Sequence, residues 1–222
     1  MRCRLFGYNY NTYIKQIVID EAQDYGMGQL KFIKRIFKNA SYTILGDVNQ
    51  TINPYYKYNS LEDLTKIFED SKYIELTKTY RSSEEIIEFS NKVLGLGYVT
   101  AIRRGTNIPV ICRNEDNLYE QLINDIDECN KVGKSLAIIT KNDNECEKIY
   151  KLLKNTDISK IDNNSKKFNR KFVVVPVYMA KGLEFDSVII YTDKMNKYID
   201  SEKYLYYVAI TRAQHKLIVY NQ

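Results

Sequence analysis

The chain has 222 residues, is 44% hydrophobic and 27% charged, and carries a formal net charge of +5, an ordinary globular composition that excludes a disordered polymer and allows one or two domains with a real core. No apolar run approaches the roughly 20 residues of a membrane helix, and residues 1–15 hold no apolar stretch of signal-peptide type, so a cytoplasmic protein without a membrane partner is expected. Cys3, Cys112, Cys129 and Cys146 are scattered without a CxxC pair, and His215 is the one histidine, so neither a zinc site nor a disulfide frame is expected.

In chain order, residues 16–20 (QIVID) form a short apolar run rich in β-branched residues, which predicts a buried parallel strand. Residues 29–37 place Leu30, Ile33, Ile36 and Phe37 at helical spacing. Residues 42–45 predict a second strand, 61–68 a helix, and 73–76 a strand leading out. A second run begins near Thr79, with a helix over 84–94 capped by Ser82 or Ser83. Three glycines mark 95–105 as a connection. Strands over 110–112, 136–140, 172–175, 187–191 and 216–220 then alternate with helices over 118–130, 145–153 and 202–213, while 157–171 reads as polar and irregular. Such alternation predicts an α/β fold of parallel sheets wrapped by helices. A boundary after residue 76 gives units 1–76 and 77–222, the first about half of a usual α/β domain.

Asp20 and Glu21 follow the first strand directly. Paired carboxylates at the carboxyl end of a strand sit where α/β proteins place ligands. Mg²⁺ takes one or two carboxylates together with phosphate oxygens. One acid can hold the metal while its neighbour orients or deprotonates a water. An acidic helix start would use the same pair. Residues 45–50 (LGDVNQ) end a strand in Gly-Asp and place the Gln50 amide three residues on, where it could meet a phosphate; a simple Gly-Asp turn has the same composition.

The string IVIDEAQD over 17–24 resembles motif II, the Walker B element, of superfamily 1 helicases of the UvrD/Rep type. Four more strings follow in that family's order: LGDVNQ (45–50) resembles motif III, TYRSS (79–83) motif IV, AKGLEFD (180–186) motif V and YVAITRA (207–213) motif VI. The resemblance spans residues 17–220. It implies a P-loop NTPase with RecA-like parallel sheets flanked by helices, a partial domain 1A over 1–76 and a complete domain 2A over 77–222. It implies that Asp20 binds Mg²⁺, Glu21 activates the attacking water and Gln50 senses the γ-phosphate. Tyr80 would pack on adenine, and Arg81 would reach the γ-phosphate across a cleft, spreading charge off the transferring phosphoryl group. Gly182 would let backbone approach a phosphate, and Lys181 could face it. Glu184 would accept a bond from a ribose hydroxyl. Arg212, placed within a helix, would be a second arginine at the γ-phosphate. ATP, Mg²⁺ and single-stranded DNA are the implied ligands, and hydrolysis would work the cleft as a motor.

The glycine-rich GxxxxGK[ST] loop of the family is absent from the 222 residues. The segment is therefore expected to be the C-terminal part of a longer motor, nearly inactive by itself, whose missing partner is the rest of domain 1A. Where relatives carry a base-stacking aromatic flanked by arginines, residues 51–56 read TINPYY, and Pro176 and Tyr178 stand where a Thr and a His usually touch nucleic acid. The stretch between motifs IV and V leaves no room for a 2B insertion. With LGDVNQTI and the proline ahead of AKGLEFD, this resembles the HelD or helicase-IV-like branch, whose bacterial HelD members use ATP to release RNA polymerase from nucleic acid. A non-catalytic binding module is the third alternative.

Overall fold

The computed structural model describes residues 13–52, 57–103, 110–114, 117–161 and 171–221. The chain divides into two compact units, Met1–Glu75 and Leu76–Gln222.

In the first unit, β1 (Gln16–Ile19) and β2 (Ser41–Ile44) pair in parallel, from Gln16 opposite Ser41 to Ile19 opposite Ile44. Parallel neighbours need a crossover, and α1 (Met27–Ile36) supplies it. Leu30 of α1 is fully buried against Ile19, Ala22, Leu64, Ile67 and Phe68. Residues 61–68 form a 3₁₀ segment, Leu61–Lys66, rather than the predicted α-helix, with Ser60 Oγ accepting from the Glu62 amide. The reason is the apolar spacing: three residues per turn bring Leu61, Leu64 and Ile67 onto one side, and all three join the core. The predicted strand over 73–76 does not form. Residues 71–77 have no regular structure, and Ile74 and Leu76 are exposed. The chain pairs next at β3 (Lys78–Thr79), which runs parallel to β4 (Thr100–Ala101) inside the glycine-marked connection.

The second unit holds α2 (Glu84–Leu94), β5 (Ile111–Arg113), α3 (Leu118–Val132), β6 (Leu136–Thr140), α4 (Asp143–Leu152) and β7 (Ser159–Lys160). Then come β8 (Phe172–Pro176), the one-turn α5 (Val177–Ala180), β9 (Phe185–Tyr191), α6 (Lys203–Ile210) and β10 (Ala213–Tyr220). The strands β5-β10-β9-β6-β8-β7 lie in that order in one sheet, every pair parallel. Every residue of β6 is buried, as expected where helices cover both faces of a parallel sheet. Ile138, Val174, Ile189 and Ile218 form the centre of the core with Leu122 and Ile126 of α3 and Ile149 of α4.

Buried polar side chains tie the ends of these elements. Asp125 on α3 is buried and receives Arg113 of β5 at 2.6 Å and the Tyr220 hydroxyl of β10 at 2.5 Å. Burial first, and the Asp125 carboxylate second, push the Tyr220 hydroxyl far above its ordinary pKa, so it stays a donor. Glu145 on α4 accepts the amides of Lys141 and Asp193, both at 3.0 Å, and the Asn196 side-chain amide at 2.8 Å. It thereby holds the segment that leaves β9.

Truncating Ile189 to Ala should cost about 2–5 kcal/mol, the range for an aliphatic side chain removed from a rigid core. Urea denaturation followed by circular dichroism checks this.

Candidate active site

The first unit assembles its candidate residues at the carboxyl ends of β1 and β2. The Leu45 amide donates to Ile19 O at 2.8 Å, and the Ala22 amide donates to Leu45 O at 2.9 Å. These bonds carry the parallel ladder past the last strand residues and fix the two loops against each other. Between them Glu21 adopts φ 51°, ψ 42°, a left-handed backbone that costs a non-glycine residue about 1–2 kcal/mol. Its amide donates to Asp20 Oδ1 at 2.8 Å, and the Asp20 carboxylate is exposed.

Gln23 joins the two loops. It is fully buried. Its Nε2 donates to Glu21 Oε2 at 2.5 Å, and its Oε1 accepts from the Asp47 amide at 3.0 Å. Asp47 in turn accepts from the Asn49 amide at 2.9 Å and from Gln50 Nε2 at 2.8 Å. Glu21 and Gln50 are thus joined by a hydrogen-bonded chain that runs through Gln23 and Asp47. Gly46 makes room for it: a Cβ there would lie 2.6 Å from Gln23 Oε1 and 2.9 Å from Leu61 Cδ1. Gln23 and Asp47 had no role in the sequence reading. Their signal was present, since both lie inside the quoted strings, but the partner of a buried amide is visible only in the fold.

In the second unit the candidate residues gather at the amino ends of β9 and β10. Phe185 stands opposite Ala213 in the register and its amide donates to Arg212 O at 3.0 Å, so Glu184 and Arg212, the residues just before each strand, are neighbours. Arg81 Nε lies 2.6 Å from Glu184 Oε1, and Gln214 Nε2 donates to Glu184 Oε2 at 2.8 Å. Residues 82–83 are bound to the same strand, with Ser82 Oγ donating to Ala213 O at 2.6 Å and the Ser83 amide to Gln214 O at 3.0 Å. The Arg81–Glu184 pair is more than one-third exposed on both sides and contributes about 0–1 kcal/mol. It therefore sets orientation without locking either side chain. Tyr80 beside it is 73% exposed.

Arg212 corrects the sequence reading. It does not lie within a helix: α6 ends at Ile210, and Arg212 occupies the turn before β10. The last helical bond runs from the Thr211 amide to Tyr207 O at 3.0 Å, and side chains add to the carbonyls at this end. Thr211 Oγ1 donates to Tyr207 O at 2.9 Å, and Arg212 Nε donates to Val208 O at 3.0 Å. The Arg212 side chain is 1% exposed. Its Nη1 reaches Leu183 O at 3.2 Å and its Nη2 Thr211 Oγ1 at 3.2 Å, as a buried cation requires. It thereby fastens the loop that carries Glu184. Gly182 in that loop has φ +76° with open space where a Cβ would be, so the backbone turn demands glycine and crowding does not.

Asp186 anchors the other end of the loop. Its Oδ2 accepts the Lys134 and Ser135 amides and the Ser135 hydroxyl, each at 2.9 Å. Burial opposes its ionisation, but these bonds and nearby His215 outweigh that and hold its pKa below 3.8. The residues expected to touch nucleic acid are only partly visible. Residues 53–56 lie outside the described residues, and Tyr178 donates its hydroxyl to Asp143 at 2.9 Å. Among the described residues no three His, Cys, Asp or Glu side chains converge on one point. The exposed Asp20 carboxylate is a hard oxygen donor, suited to a cation held mainly by phosphate oxygens and water.

Comparison with known proteins gives the chain's family. The family model for the UvrD-like helicase C-terminal domain matches residues 98–222, more than half of the chain. ATP-dependent DNA helicase Rep of Buchnera aphidicola subsp. Schizaphis graminum is 29% identical over 173 residues, which cover 71% of this chain and 26% of that protein. ATP-dependent DNA helicase srs2 of Schizosaccharomyces pombe is 31% identical over 84 residues, covering 36% of this chain and 10% of that protein. The chain thus spans about a quarter or less of these relatives. The C-terminal domain of a possible DNA helicase from Lactobacillus plantarum WCFS1 superimposes with a TM-score of 0.51 at 26% identity, covering 64% of this chain and 86% of that one.

Gly46→Ala should destabilise the first unit by about 1–3 kcal/mol, because its methyl group must displace the buried Gln23 amide; urea unfolding measures this. Asp186 contributes stability that is present above its ordinary pKa of 3.8 and lost as the pH falls through its lowered value. The stability gap between the parent and Asp186→Asn should therefore shrink between pH 6 and pH 3.

Proposed function

The chain belongs to the UvrD-like helicase C-terminal domain family, and from that membership we propose that it is part of an ATP-dependent DNA helicase or translocase that moves on single-stranded DNA. The first unit is then the C-terminal portion of RecA-like domain 1A, and the second is domain 2A. The observation that carries the reading is the hydrogen-bonded chain from Glu21 to Gln50 through Gln23 and Asp47. It joins a carboxylate suited to activating water to an amide suited to meeting a phosphate.

Each residue then has a task. Asp20 would hold Mg²⁺, which when bound offsets the charge on the phosphate oxygens. Glu21, set by its left-handed backbone and the Gln23 amide, would accept the proton of the attacking water. Gln50 would contact the γ-phosphate, and any shift of its amide would pass through Asp47 and Gln23 to Glu21. Arg81 would face charge developing on the phosphoryl group, whereas Arg212, expected there from the sequence, is buried and would hold the Leu183–Glu184 loop in place. Glu184 would receive the ribose hydroxyl, Gly182 would let backbone approach a phosphate, and the exposed Tyr80 ring would cover adenine. Phosphate is the stronger partner for Arg81, so its weak pair with Glu184 can be exchanged.

A second reading, a HelD-type motor that releases RNA polymerase from nucleic acid, is supported by the resemblance of LGDVNQTI and of the proline ahead of AKGLEFD to that branch. That reading expects co-purification with polymerase and weak stimulation of ATPase by DNA.

In the intact protein, Glu21→Gln should lower DNA-stimulated ATPase by about 10²–10⁴-fold while leaving ATP binding in place. Retention of turnover would remove Glu21 from its assigned role. The 222 residues alone, which contain no GxxxxGK[ST] string, should turn over ATP at background. A rate from them that Glu21→Gln abolishes would overturn that second expectation.

A further inference from the structure

Away from the candidate active site, the first unit carries an open groove of about 430 Å³ lined by Lys31, Lys34, Arg35, Lys38, Lys66 and Ile67. Five of these six residues are cations, and two separate elements supply them. Positions 31, 34 and 35 of α1, and 38 in the turn that follows it, recur at the three- and four-residue spacing that makes one helix face. Lys66 comes from the end of the 3₁₀ segment. Lys34 joins the two walls: its Nζ donates to Ile67 O and lies 5.5 Å from the Phe68 ring centroid. Lys66 also pairs with Asp63 at 2.6 Å. The helix dipole accounts for Lys34 and Arg35 in the last turn of α1. The same effect covers Lys66 in the last turn of the 3₁₀ segment, but it does not account for Lys31 or for the convergence of the cations on one concavity.

The fold separates this groove from Asp20 and Glu21. α1 runs antiparallel to the strands. It starts beside the carboxyl end of β1 and finishes before Ser41, whose amide bonds Lys15 O at the amino end of the sheet. The 3₁₀ segment runs the same way, from Leu61 beside Gly46 to Lys66 beside Lys34. At 1.5 Å per residue, the groove therefore lies roughly 10–15 Å from the strand ends that carry the carboxylates.

We infer that this groove is a docking surface for the phosphodiester backbone of nucleic acid. Its chemistry favours that occupant. Lysine and arginine side chains presented together suit a run of phosphates. Among the described residues the lining is cationic and aliphatic, which suits phosphate contacts independent of base sequence. An acidic protein segment would want apolar anchor pockets beside the charges, and the lining offers only Ile67, which is 5% exposed.

The test uses the 222-residue chain without nucleotide, so its outcome is independent of the ATPase reading. Fluorescein-labelled oligonucleotides, one single-stranded and one duplex, are titrated by anisotropy at several salt concentrations. The triple variant Lys31→Glu, Arg35→Glu, Lys38→Glu should bind at least about tenfold more weakly at low salt, with the slope of log K against log salt reduced by about 2–3. A control triple, Lys131→Glu, Lys154→Glu, Lys197→Glu, makes the same charge change at exposed positions of the second unit and should stay within about threefold of the parent. Equal loss in both triples, or no loss in the first, overturns the inference. So does displacement of the oligonucleotide by poly-glutamate at a lower concentration than by unlabelled DNA, which would assign the groove to an acidic protein. Amide shifts of the parent chain on DNA addition are the measurement that needs no variant: they should cluster at residues 31–38 and 66–67, and their absence there also overturns it.

Discussion

At the start of β9 and β10, Phe185 and Ala213 face each other across a parallel ladder, and the second unit's site depends on that register. A shift of one residue would turn every side chain of β10 to the other face and carry Arg212 away from Leu183. With the register as it is, the Leu183–Glu184 loop is held by Arg212 on one side and reached by Arg81 on the other. Consecutive residues of β6, β8, β9 and β10 are buried, so the register is kept by the close packing around Ile189 and Ile218, which a slip would disrupt.

The first unit solves a related problem with a smaller sheet. Two strands alone cannot hold two loops rigidly, so hydrogen bonds continue beyond the strand ends and the Gln23 amide bridges the loops. An amide suits that place because it donates and accepts at once. Its Nε2 meets a carboxylate and its Oε1 meets a backbone N–H, so its orientation is determined. The bridge requires the close approach that Gly46 permits, and these bonds hold the left-handed Glu21 backbone in place. Local strain at Glu21 and a buried polar bridge beside it belong to one arrangement, in which neighbouring contacts over-determine an unfavourable conformation.

Charge is distributed unevenly along the first unit. Carboxylates collect where the strands end, at Asp20, Glu21 and Asp47, while lysines and an arginine collect at the far end of α1. Because α1 runs against the strands, acidic and basic ends of the same βαβ crossover are kept about one helix length apart. An acidic strand end and a cationic groove can then exist in one small unit without neutralising each other.

The sequence by itself determined the α/β class, most strands and helices to within a few residues, and the family, because buried parallel strands and helical faces leave strong periodic signals and because five short strings occur in a fixed order. It placed Asp20, Glu21, Gln50, Tyr80, Arg81, Gly182, Glu184 and Arg212 in those strings. It could not decide that residues 61–66 form a 3₁₀ segment, since apolar spacings of three and four overlap over so short a stretch. It could not decide that α6 stops before Arg212, since that depends on β10 claiming Ala213. The Gln23 bridge, the pairing of Arg81 with Glu184 and the groove shared by α1 and Lys66 were likewise decided by tertiary structure alone. Each depends on which distant residues the sheet register and the crossover bring within hydrogen-bonding distance, and one chain's local pattern carries no record of that.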